Sequence, residues 1–388
     1  MSAGAWVREY AVQIETVNPT DGLESLLAIG DSTGVTFAAT KIGIGGNATN
    51  NGKFKLLTQN KPDRVSGTDI KESEKASGQA DMIEEDIQQT VGEPPKFAPE
   101  FYVNSYLISL FMQLMSQSGA LDSQFGGVTR DKFTPYNKID ISYYLAVMGK
   151  VQKLGGVVDE CQLMRGCLPS SLRFSGQEGD VLTLAADLMG AKWSNTFVGT
   201  GIPADAQALL KKSYLRWQNA NVYMDDAYVT ASDPTSGLKT GIDGSNNKFA
   251  CAGFDLTVTN GLVAKFYNST NIQAFSLGKY KAEGSFQVPW VVPSLVTEAN
   301  VYYWKQINDF RNGIVKHMKI WWGNADATTD NSFSIDMYLK YRSGTLEGDE
   351  TLENNMGFSC VSPASGTPSI TLYTGHDTTS LDRGLPAS

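Results

Sequence analysis

The chain has 388 residues, 41% of them hydrophobic and 19% charged, which excludes global disorder and allows more than one buried core. Its 32 Lys and Arg against 41 Asp and Glu give a net charge of −9, which argues against a groove that holds a nucleic-acid backbone by neutralising its phosphates. No apolar run approaches the ~18 residues of a membrane span; the most apolar, Tyr106 to Met112, is broken by Ser109. The opening MSAGAWVREY lacks the basic end, apolar run and cleavage site of a secretory signal, so synthesis in a cytosol and no membrane are the expectation. Cys161, Cys167, Cys251 and Cys360 have no His or second Cys pair at metal-ligand spacing and are expected to be buried, reduced thiols.

Alternation over Trp6 to Ile14 predicts a strand, stopped by Asn18, Pro19, Asp21 and Gly22. From Gly30 to Asp86 the text is polar, with short β-compatible runs, and reads as long hairpins or arms. After Pro94, Pro95 and Pro99, the residues Val103, Tyr106, Leu107, Leu110, Phe111, Leu114 and Met115 recur at spacings of three and four, which predicts an amphipathic helix ended by Gly119. A loop rich in Gly, Asp and Thr follows. Strands are then expected at Ile139 to Met148, Val157 to Met164, Ser171 to Ser175 and Val181 to Leu188. Asp205 to Trp217 reads as a short helix, and Ser232 to Asn247 as a long loop.

Strands resume at Phe254 to Thr259, Leu262 to Tyr267, Ile272 to Leu277 and Tyr280 to Val288. A second helix is written in Thr297 to Asn312, with Thr297 as cap, Val301, Trp304, Ile307 and Phe310 at three-residue steps, and Gly313 as stop. Strands at Ile314 to Trp322 and Phe333 to Tyr341 close the pattern, and beyond Val361 the text reads as a tail. Both halves thus run hairpin, helix, two strands, which suggests a duplicated α+β unit that is mainly β.

Little here points to catalysis. The two histidines, His317 and His376, have no metal-ligand neighbours in sequence and read as structural. The run Gly43 to Ala48 superficially matches a dinucleotide fingerprint, but the following NNGKFKL opens no helix to receive a pyrophosphate. Glu84-Glu85-Asp86 and Asp225-Asp226 read as solvated acids, because adjacent strand residues point to opposite faces. No catalytic, cofactor or metal residue is assigned.

The segment Gly166-Cys167-Leu168-Pro169-Ser170-Ser171-Leu172-Arg173-Phe174-Ser175-Gly176, followed by Val181 to Gly190, resembles the tail tube proteins of long-tailed bacteriophages, where similar text joins two tube units. Phe254 to Asn260, Phe275 to Lys279 and Gly284 to Val288 resemble the second unit of that family. The resemblance extends over roughly residues 60 to 360. It implies two tandem β-sandwich or barrel-like units, each flanked by one α-helix, with long loops and terminal arms. It also implies a structural virion protein, not an enzyme, whose subunits join sheets edge to edge into trimeric or hexameric rings. Those rings would stack into a conduit for DNA ejection, meeting tape measure, terminator and tail-tip proteins, after assembly in the host cytoplasm.

The division expected is 1–166 for the first unit with its arm and hairpin, 167–361 for the second with an inserted loop region 190–247, and 362–388 for a tail. If DNA passes through the ring without specific binding, the channel wall should be polar and acidic; Asp69, Glu72, Glu74 and Glu283, at parallel places before each helix, are the candidate lumen-facing acids. Two other readings stay open: another β-rich tail or capsid component, and a carbohydrate-binding or carbohydrate-active β-protein.

Overall fold

The computed structural model describes residues 5–16, 53–56, 64–72, 87–116, 120–125, 128–135, 141, 143–153, 160–196, 207–208, 213–226, 251–267, 272–289, 309–347 and 353–377. Its elements in chain order are β1 (Ala5–Thr16), β2 (Lys53–Leu56), β3 (Arg64–Glu72), β4 (Ile87–Phe97), β5 (Glu100–Tyr102), α1 (Ser105–Ser116), β6 (Ala120–Phe125), β7 (Val128–Phe133), β8 (Tyr143–Lys153), β9 (Glu160–Gln177), β10 (Thr183–Met189) and β11 (Lys192–Thr196). They continue with β12 (Gln207–Ala208), a 3-10 turn at Trp217–Asn219, β13 (Ala220–Asp226), β14 (Gly253–Thr259), β15 (Val263–Lys265), β16 (Ala274–Ser276), β17 (Lys281–Pro289), β18 (Val315–Trp322), β19 (Ser332–Glu347), β20 (Glu353–Cys360) and β21 (Ile370–Asp377). The architecture is α+β and mainly β, as the sequence pattern predicts.

Two long strands organise it. The first half of β9 pairs with β8 and β11, and its second half with β10 and β14. The first half of β19 pairs with β18 and β21, and its second half with β20. Each long strand therefore belongs to two sheets. One outer sheet runs β2–β1–β8–β9–β11, another runs β13–β18–β19–β21–β7–β6, and a shared inner sheet runs β3–β4/β5–β10–β9–β14–β17–β20–β19.

The expected strands at Val157 to Met164 and Ser171 to Ser175 are one strand, β9. Between them Gly166 takes φ +62 within the strand, and Pro169 sits beside a register shift opposite Asp187/Leu188, where a missing N–H is tolerated. The Pro169 carbonyl accepts from the Asn260 side-chain amide at 2.9 Å.

Helix α1 starts where Asn104 caps it, its Oδ1 accepting from Leu107 N–H at 3.0 Å. Every residue of the helix is buried, because it packs against β9, β21, β7 and β8. Its apolar stripe joins one continuous core with Phe101, Phe174, Leu256, Phe286, Trp322 and Phe333. Gly119, the expected stop, lies outside the described residues. Of the second expected helix, residues 309–312 are helical and Gly313 ends them with φ +64.

The helix expected at Asp205 to Trp217 does not form in the described part. Gln207 and Ala208 pair with β2, Leu215 N–H donates to the Val103 carbonyl at 2.9 Å, and Leu215 accepts from Leu182 at 2.8 Å. Those long-range bonds, with Leu215 and Trp217 buried, hold the backbone extended against its local propensity. The loop after α1 contains β6 and β7, and the stretch after Val361 contains β21, which lies between β7 and β19. The long loop Ser232 to Asn247 lies outside the described residues.

Candidate functional site

Strict alternation gives the inner sheet two unlike faces. Phe101, Leu184, Phe174, Leu256 and Phe286 point into the core. The opposite face presents cross-strand rows: Tyr102, Thr183, Ser175, Asp255, Ser285 and Gly357 form one, and Glu100, Ala185, Arg173, Thr257, Glu283 and Ser359 the next. A third row holds Asp187, Ser171, Thr259 and Lys281. At Gly284 a Cβ would collide with the Asp255 carbonyl and the Phe358 ring, so only glycine lets β14, β17 and β20 pack this closely.

Local pairs stitch the polar face. Arg173 Nε donates to Asp255 Oδ2 at 2.7 Å, and this hydrogen bond, reinforced by the carboxylate's charge, pushes the guanidinium pKa up. Ser171 donates to Asp187, and Ser359 Oγ receives Arg342 Nε at 3.0 Å while donating to Glu283 at 3.4 Å. Over the three rows stand four acids (Glu100, Asp187, Asp255, Glu283) and two bases (Arg173, Lys281), with Arg342 at the β19 margin. Of the sequence-derived acids, Glu283 lies exposed in the middle row. Asp69 and Glu72 belong to β3, the first strand of the same sheet, and Glu74 lies outside the described residues.

A second polar group is buried under α1. Ser109 Oγ contacts His376 Nε2 at 2.6 Å and Thr374 Oγ1 at 2.5 Å. Asp131 Oδ2 stands 3.1 Å from the same nitrogen, off the line of a hydrogen bond. A Ser-His-Asp triad places its serine and aspartate on opposite ring nitrogens and opens to substrate; here both partners crowd Nε2 and every member is sealed from solvent. His317 likewise meets Asp336 at 2.6 Å and stacks on Tyr338. Sequence reading missed both acids because each comes from another strand. Asp225 is buried on β13, while Gly43 to Ala48 and Glu84 to Asp86 fall outside the described residues. Cys167, Cys251 and Cys360 are free thiols, and burial pushes the Cys251 thiol up to about 12.

The class this defines is a mainly β protein that buries its histidine–carboxylate contacts and, among the described residues, leaves one broad polar sheet face to solvent. A family model described as phage tail tube protein matches residues 19–301, a span that contains β2 to β17 and most of that face. The chain belongs to the phage tail tube protein family: it is a structural component of a bacteriophage virion tail. No curated protein matches it.

Proposed function

We propose that the chain polymerises into stacked rings, that the rings form the tube through which DNA leaves the virion, and that the polar face of the inner sheet lines the bore. The observation that carries this reading is the sheet itself: across β5, β10, β9, β14, β17 and β20 one face lies in the core and the three rows on the other bear four acids, two bases and a field of Ser and Thr. A wall of that kind offers phosphates few cationic contacts and a repulsive field, so a duplex slides rather than binds. The role is structural and non-catalytic, the principal partner is another copy of the chain, and tape measure, terminator and tail-tip proteins would meet the tube at its bore and ends. Assembly would take place in the host cytoplasm.

The pairing pattern supports two tube units, with β8 to β11 closing the first and β18 to β21 closing the second. That assigns all of β9 to the first unit and β21 to the second. Asp69 and Glu72 join Glu283 as proposed lumen acids because β3 continues the same sheet, and Glu74 is proposed with them from its place in the sequence alone.

Electron microscopy of the purified chain should show rings or tubes of uniform diameter. In tubes carrying Lys at positions 69, 72, 74 and 283, DNA retention should rise and fall steeply with salt, since each added phosphate contact releases counterions. Retention equal to that of the parent at low salt would remove these acids from the bore.

A further inference from the structure

Strand β18 carries Lys316, Met318, Ile320 and Trp322 on one parity, and the last three point into the core. Lys316 thus occupies a core position, and at 1% exposure it is the most deeply buried lysine or arginine among the described residues. Its register partners are the fully buried Leu339 on β19 and Asp226 on β13. One step inward on the same face, Met318 lies between Met337 and Met224, both buried. Into this setting Asp309 brings a carboxylate: Lys316 Nζ donates to Asp309 Oδ2 at 2.6 Å, with the two side chains 2% and 11% exposed.

The backbone holds the two residues together from both sides. Asp309 opens the helical residues 309–312, and Gly313, at φ +64, turns the chain back. Ile314 N–H donates to the Asp309 carbonyl at 2.9 Å and Gly313 N–H to the Phe310 carbonyl at 3.1 Å, which fixes the turn. Beyond it, β18 is clamped between β13 and β19, so Lys316 is set by the sheet.

Two charges taken out of water pay a desolvation penalty that their attraction only partly offsets. Transfer of one proton along the hydrogen bond turns the pair into an amine and a carboxylic acid, the neutral forms that burial favours. These are the two reactants of amide formation. We infer that Lys316 and Asp309 condense, within one chain and after folding, into a side-chain amide bond. The Nζ lone pair attacks Asp309 Cγ, the new C–N bond forms as a Cγ–O bond breaks, and the departing oxygen leaves as water with two of the protons of the original ammonium. An ammonium and a carboxylate become one secondary amide and one water, with nothing oxidised or reduced.

Reversal by hydrolysis is opposed by the same geometry. Reacting groups held this way reach effective molarities of ~10⁵ M or more, and the apolar side chains around Lys316 keep solvent from the bond. The product carries no charge, so the burial penalty of both ions is removed. It also ties the end of the helical turn to β18 and restricts the unfolded chain by closing a loop.

Intact-mass measurement of the folded, purified, unaltered chain, denatured just before injection, should read one water below the sequence mass. Trypsin then locates the loss. Arg311 lies between the two residues, so cleavage there should leave peptides 306–311 and 312–319 joined as a branched pair, uncut at Lys316. In the variant K316R the cation remains but guanidinium is no nucleophile, so the mass should equal its sequence and the peptides should separate. Full sequence mass in the unaltered chain overturns the proposal. So does a lost water with the two peptides separate, or a bridge that fragmentation places between Lys316 and Asp226.

Discussion

On α1 the residues Ser105, Ser109, Gln113 and Ser116 form a polar stripe that the fold buries completely, whereas Ser171, Arg173, Ser175, Asp255 and Thr257 on β9 and β14 remain on an open face. The stripe reaches across the chain: Ser105 Oγ donates to the Gly375 carbonyl at 3.1 Å, and Ser109 meets Thr374 and His376. Contacts on the open face run between neighbouring strands of one sheet and stay wet. Buried polar groups have no water to fall back on, so each bond there specifies a packing arrangement; exposed ones can be exchanged for water at little cost. The first surface fixes the fold, and the second is free to be shaped by function.

The sharpest way to break this contrast is Asp131→Ala, which removes the fully buried carboxylate beside His376 and should cost about 3 kcal/mol of unfolding free energy in a denaturant titration. Ser109→Ala deprives both Thr374 and His376 of a partner and should cost about 2 kcal/mol in the same experiment. Asn104→Ala, which uncaps α1, should cost about 1 kcal/mol and lower the midpoint without altering the slope. Arg173→Ala should change monomer stability by no more than about 0.5 kcal/mol, because its side chain is 61% exposed and its bond to Asp255 is solvent-screened. A loss above 2 kcal/mol at Arg173, or none at Asp131, would erase the distinction between the surfaces.

The legible parts of the fold were those with a local period. Val103 to Met115 gave a helix because its apolar residues recur each turn, and Phe333 to Tyr341 a strand because they alternate. Glu283 was legible as an exposed acid on the hairpin before the second helix. β6, β7 and β21 were not, since Gly, Ser and Thr obscure their alternation and they are held as strands by pairing with one another and with β19. The segment leading into Trp217 carried helix-compatible text but was drawn out by bonds to Val103 and Leu182.

The sequence by itself determined the class: an acidic, β-rich chain with text resembling tail tube proteins, because composition and short-range periodicity are properties of neighbours along the chain. Only the tertiary structure decided that β9 and β14 join in one sheet, that Asp131 meets His376, and that β21 lies between β7 and β19. Each of these joins residues remote in sequence, where the closing of long loops is governed by packing and backbone pairing and leaves no spacing to read.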